Sequence, residues 1–223
     1  MRNILICLLL LIVPLSAQEK SRSWSIRVAA LDCLPGHEIL WLRTGAGKEP
    51  MKIPLNGLMF SLPIKFKCPA AIAFYGSAMD ARAEEPPAPL GSTILKHDHS
   101  LIVFSARPDK GNYNSYAINE SDFPFGAFRF VNFSKAIIRT ELKGKALVLK
   151  PGAAGTVAYS GERNDTTVRI LALAEGKPPR IVLSSKWAIF SSQRELVMIF
   201  PGTGGELVRF QHLVDTKSLD PEE

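Results

Sequence analysis

Cysteine and histidine are scarce, and long apolar runs are nearly absent. The chain holds three Cys and four His among its 223 residues. So few cysteines exclude a disulfide-dense mini-protein, and the lack of a Cys-x-x-Cys spacing argues against a thioredoxin-like redox pair. No Gly-x-Ser-x-Gly elbow occurs, because Gly76-Ser77 and Gly91-Ser92 lack its second glycine. Gly202-Thr203-Gly204-Gly205 lacks the Lys-Ser/Thr of a phosphate loop and sits between two strand-like runs, so it reads as a hairpin loop. Paired carboxylates occur at Glu84-Glu85, in a proline-rich stretch, and at Glu222-Glu223; neither place buries a carboxyl as acid catalysis requires. The expectation is a protein that is not an enzyme and carries no cofactor.

What is present is an ordinary globular composition, 46% hydrophobic and 22% charged, with 27 Lys+Arg against 21 Asp+Glu and a net charge of +6. The apolar residues are distributed unevenly. Met1-Arg2-Asn3 is a short positive head, Ile4 to Val13 is an unbroken apolar run, and Pro14-Leu15-Ser16-Ala17 ends on a small residue. This is the layout of a secretory signal peptide over residues 1–17, with cleavage expected after Ala17. The run is too short to span a bilayer about 30 Å thick at about 1.5 Å per residue. No later window is apolar for long enough, so the mature chain is expected to have no transmembrane segment and to be exported: periplasmic, envelope-associated or secreted. Export to an oxidising compartment makes one disulfide between Cys33 and Cys68 the simplest expectation.

Beyond the leader the pattern is strand after strand. Ile26 and Val28 alternate with polar neighbours, Met51, Ile53 and Leu55 share a face, and Leu101 to Phe104 and Leu196 to Phe200 are short apolar runs. Turn formers break the runs about every ten residues, among them Pro35-Gly36, Gly45-Ala46-Gly47, Asn56-Gly57, Pro151-Gly152 and Pro201 to Gly205. Asn56-Gly57 is the strongest hairpin signal, since both residues tolerate positive φ. Sixteen Gly and sixteen Pro spread along the chain oppose long helices. The fold class expected is all-β, built as antiparallel sandwiches.

Some fifteen strands exceed one small sandwich. The reading divides the chain into a signal peptide (1–17), a first β-sandwich module (18–107), a linker or interface segment (108–126), a second module (127–215) and a flexible tail (216–223). Tyr113, Tyr116, Phe123 and Phe125 cluster in the linker and are expected to cement the modules. Each half opens with an Arg-centred strand, Ile26-Arg27-Val28 and Phe128-Arg129-Phe130, and has a late apolar strand; the offsets are about 102 and about 95 residues.

Two constellations invite a function. In His97-Asp98-His99 the imidazoles lie two residues apart, on one side of an extended chain, so His97 and His99 are candidate metal ligands awaiting a third. Lys135, Arg139, Lys143, Lys145 and Lys150 fall close together, opposed only by Glu141, and form a candidate patch for an anionic partner such as an envelope protein or an anionic polysaccharide. A solvated sheet face or a lysine-protected edge strand is the plainer reading of those charges. Nucleic acid is not expected, because no stacking-aromatic motif accompanies them.

With its Arg-centred opening strands and the Leu196-to-Phe200 strand, the chain resembles small exported bacterial proteins built from two immunoglobulin-like β-sandwich modules in tandem. Periplasmic pilus chaperones share the leader, the size, the basic charge and that plan, so a chaperone-like module is an analogy at the level of fold. The function expected is that of a non-enzymatic envelope protein that binds or scaffolds a partner through sandwich edges or loops.

Overall fold

The computed structural model describes residues 21–57, 59–142, 144–159, 163–173, 176 and 178–217; the predicted signal peptide, most of the predicted tail and Lys143 lie outside the described residues. The described chain is all-β. Its first eight strands are β1 (Arg22–Ala30), β2 (Ile39–Leu42), β3 (Met51–Pro54), β4 (Ile64–Cys68), β5 (Ala71–Tyr75), β6 (Gly91–Ile94), β7 (His99–Arg107) and β8 (Asn112–Asn119). The next eight are β9 (Ala127–Asn132), β10 (Ile137–Leu142), β11 (Lys145–Leu149), β12 (Ala154–Ala158), β13 (Arg163–Leu173), β14 (Arg180–Phe190), β15 (Gln193–Pro201) and β16 (Val208–Thr216). A short helix, α1 (Ala78–Arg82), starts where the Ser77 hydroxyl accepts a hydrogen bond from the Asp80 amide.

Four four-stranded sheets result, and their strand orders repeat. The first half forms β4-β1-β7-β8 and β3-β2-β5-β6; the second forms β12-β9-β15-β16 and β11-β10-β13-β14. Adding eight to each strand of the first half gives the second. Each half contains one parallel pair, β1 with β7 and β9 with β15, amid otherwise antiparallel ladders. Register makes the correspondence residue-specific: Arg27 stands opposite Leu101, and Arg129 opposite Leu196.

Three apolar clusters stack the sheets. One joins Ile26, Val28 and Phe104 to Leu40, Ile53 and Phe74 across the two first-half sheets. A second joins Phe130, Val197 and Ile199 to Ile138, Val168 and Ile170 across the two second-half sheets. The third lies between the halves, where Ala29, Leu101, Val103 and Ile118 meet Val131, Leu196, Met198 and Leu213. We term β4-β1-β7-β8 and β12-β9-β15-β16 the inner sheets. Alternate residues of β7 therefore serve different cores: Ile102 and Phe104 face the first-half core, Leu101 and Val103 the junction. Each large side chain buried at the junction contributes about 1.5–3 kcal/mol relative to exposure.

Phe123 is fully buried in the junction cluster, Tyr116 packs against it, and Phe125 lies under the Arg194 guanidinium. Tyr113 goes elsewhere: it is a first-half core residue whose hydroxyl accepts from the Leu34 amide and donates to the His37 carbonyl. Asn56-Gly57 makes no hairpin. β3 and β4 belong to different sheets, and the Asn56 carbonyl accepts from the Ala30 amide at 3.1 Å, so the dipeptide is a crossover held by the end of β1. The Gly202 loop does join two antiparallel strands, β15 and β16.

Candidate binding site at the junction of the two halves

The junction is closed at one place by a four-residue ionic clasp. Arg27, on β1, donates from Nη1 and Nη2 to the two carboxylate oxygens of Asp215 on β16, each at 2.7 Å, and from Nε to the Ser61 carbonyl at 2.9 Å. Arg194, on β15, donates to the same Asp215 at 2.8 Å, to the Phe123 carbonyl at 2.7 Å and to Glu120 at 2.6 Å. Two guanidinium groups and two carboxylates balance in charge. The side chains of Arg194 and Asp215 are 2% and 4% exposed, so this balance is what makes their burial tolerable. Phe125 packs its ring 4.4 Å from the Arg194 guanidinium.

Beyond the clasp the second half no longer covers the inner sheet of the first. Ser23, Ser25, Arg27 and Ala29 alternate onto one face of β1. Ala29 is buried in the junction, whereas Ser25 is half-buried and Ser23 exposed. Register places Lys65 beside Ser25 and Lys67 beside Ser23 on β4, with His99 beside Ser25 on β7. The result is a ledge floored by serine hydroxyls and walled by cations. It holds a recess of about 610 Å³ that is continuous, through Ser25, Lys65 and His99, with a groove of about 750 Å³ running to Phe125 and Lys217. Among the described residues, Lys65, Lys67 and Lys217 have no carboxylate within ion-pair distance.

On another side of the junction lies an apolar crevice of about 470 Å³. Tyr116 meets Phe133 edge-on at 5.5 Å, and Phe133 stacks on Phe200 at 5.2 Å. Its polar wall is formed by Ser105, Asn114 and Ser115.

The residues singled out by sequence are distributed as follows. His97 and His99 are exposed, in and after a crossover between β6 and β7, which belong to different sheets. Asp98, between them, is engaged by Arg22 at 2.6 Å, and no group of three His, Cys, Asp or Glu poised for a metal occurs among the described residues. Cys33 and Cys68 are both free, so the expected disulfide is not formed in this structure. Both pack in the first-half core, and the Cys68 thiol donates to the Pro69 carbonyl at 2.9 Å. Burial pushes the Cys68 thiol up to about 11, and burial with nearby Glu38 and Asp32 raises Cys33 as well, so the thiolate needed for disulfide exchange is scarce.

Of the candidate anionic-partner patch, Lys135 and Lys150 are exposed, but Arg139 is answered by Glu141 at 2.9 Å. Lys145 donates to the Ala158 carbonyl at 3.1 Å and lies over the Tyr159 ring. Ile138, Thr140 and Leu142 are buried beneath, as their alternation with Arg139 and Glu141 predicts. A further set of lysines without ion pairs, Lys65, Lys67 and Lys217, borders the ledge, which the sequence reading missed. The alternation Lys65-Phe66-Lys67 was its only local trace, and the Ser23/Ser25 floor becomes visible only through register.

Among the described residues no helix is long and apolar enough to cross a membrane. No protein-family model and no curated protein matches the chain. Among solved structures, human GIVD cytosolic phospholipase A2 is similar over 83% of this chain and 29% of that one, at 13% identity and a TM-score of 0.26. The chain thus spans less than a third of that protein, and a likeness this low carries no inference of fold or activity.

Proposed function

We propose that the protein is an exported, non-enzymatic envelope protein, two immunoglobulin-like β-sandwich modules in tandem clasped into one unit, that holds a partner on the ledge at their junction. The observation that carries this reading is the progressive uncovering of the inner-sheet face: buried at Ala29, clasped at Arg27, half-buried at Ser25 and exposed at Ser23. A rigid wall beside an open, ladder-backed face is a preorganised docking place, because little conformational freedom is lost on binding. The repeated strand order supports two equivalent sandwiches, and the leader-like residues 1–17 support export.

Two measurements test it. Fractionation of cells expressing the full chain, or the chain without residues 1–17, places the former in the envelope or medium and leaves the latter in the cytoplasm. A photo-crosslinking amino acid at Ser25 captures a discrete envelope component, whereas the same group at Lys186, on the exposed side of β14, does not. Cytoplasmic retention of the full chain, or indistinguishable capture from both positions, removes the reading.

A further inference from the structure

We infer that the ledge is a binding site for an anionic polysaccharide; the inference rests on the partner-binding reading above and names the partner. Three features point to this chemistry. The first is charge. Lys65, Lys67 and Lys217 line the two adjoining recesses with no carboxylate at ion-pair distance among the described residues, while the acids that also line them, Asp98, Glu120 and Asp215, are taken by Arg22, Arg194 and Arg27. A polyanion there meets a positive field with its local carboxylates neutralised.

The second feature is the floor. Ser23 and Ser25 present hydroxyls between the lysines of β4 and His99 of β7. A hydroxyl both donates and accepts, which suits the hydroxyl groups of sugar rings as much as their acid groups suit the lysines. The third is shape. Two recesses that share Ser25, Lys65 and His99 in their walls offer more room than a single small anion fills, which suits an extended chain. Lys65 and Lys67, two residues apart on a strand, stand about 7 Å from each other along it.

The same features disfavour single-stranded nucleic acid. Trp24 and Phe66 lie under the ledge at 4% and 8% exposure, on the core side of their strands, so they offer no face for base stacking. A bilayer is the other competitor, because exposed Met59 and Leu62 stand on the rim of the groove, and the test includes it.

The test is calorimetric titration of the purified protein with polygalacturonate, at low and at physiological ionic strength. Uncharged dextran, poly(dT) and vesicles of anionic phospholipid are titrated in parallel. Binding to polygalacturonate is expected to weaken with salt. It is expected to drop about ten-fold or more in Lys65→Glu/Lys67→Glu and to change by less than about two-fold in Lys135→Glu/Lys150→Glu, which has the same net charge. Dextran is expected not to bind. Four results overturn the inference: no binding of polygalacturonate, equal losses in the two charge-reversed variants, binding of dextran, or equal or tighter binding of poly(dT) or the vesicles. If polygalacturonate fails while crosslinking from Ser25 persists, the polysaccharide falls and the docking reading stands. If both fail, both fall.

Discussion

Arg27, in the first described strand, grips Asp215, 188 residues away in the last, through two parallel hydrogen bonds of 2.7 Å. The same carboxylate also receives Arg194, so removing it leaves two guanidinium groups, one of them almost wholly buried, to share Glu120 alone. Breaking a buried pair by deleting one partner costs about 3–5 kcal/mol. Asp215→Ala is therefore expected to lower stability by that order. In scanning calorimetry a single cooperative transition of the wild type is expected to split in two, as the halves uncouple. An unchanged single transition would show that the apolar junction suffices without the clasp.

Leu101 and Leu196 occupy the same register position in the two halves and meet in one cluster. Each truncation to Ala is expected to cost about 2–5 kcal/mol in denaturant unfolding. Because they share that cluster, the double variant is expected to lose less than the two losses combined.

The buried thiol sets a slope with pH. In the unfolded chain Cys68 ionises near 9.0, whereas in the folded chain burial holds its proton to about 11. Between those values the unfolded state has given up a proton that the native state retains. The contribution of Cys68 to stability is therefore fully present below about pH 9 and falls by roughly 2 kcal/mol on the way to pH 11. Tyr159, pushed up to about 12 by burial, extends the decline at higher pH. Cys68→Ala is expected to flatten the curve between pH 9 and 10 in urea melts; an unchanged slope there would assign it to other groups.

Gly202 closes the last hairpin where a Cβ would lie 2.2 Å from the Glu206 carbonyl oxygen, a backbone atom that cannot swing aside. Gly202→Ala is expected to cost about 1–3 kcal/mol and to loosen amide protection at Pro201's neighbours on β15 and β16, as read by hydrogen exchange. Gly36→Ala, in open space but at a φ of 77°, tests backbone strain alone and is expected to cost less.

Much of this architecture was legible because strands advertise their surroundings. Ile26 and Val28 alternate with residues that do not enter the first-half core, and that is how they read. The continuous apolar runs Leu101 to Phe104 and Leu196 to Ile199 also carried more than their strand character. Such runs belong to strands covered on both faces, and both are. The paired Arg-centred strands and their two offsets were a true trace of the repeated sheet order. What failed was local chemistry overruled at long range. Asn56-Gly57 has hairpin composition, but the free end of β1 recruited it. Of the cations between Lys135 and Lys150, Arg139 pairs with Glu141 and Lys145 with the Ala158 carbonyl, whereas Lys135 and Lys150 stay exposed; Lys217, far in sequence from Lys65 and Lys67, borders the same concavity as they do. No spacing rule connects Arg27 with Asp215, because a clasp between distant strands depends on how two completed sheets meet.

The parallel pairing of β1 with β7 also bears on the order in which the chain matures. During synthesis the opening strand waits for some seventy residues before its neighbour emerges, and non-local pairing of this kind slows folding. Glu120, at 3.7 Å from Arg27, comes next, and the carboxylate that grips Arg27 at 2.7 Å arrives later still, on β16. One ladder edge of β1 stays unpaired until β7 is made, and Arg27 lacks its two-bonded carboxylate until β16 is. Completion of the fold is thus expected to wait on β16, the last described strand, which a refolding measurement on chains lacking it would show.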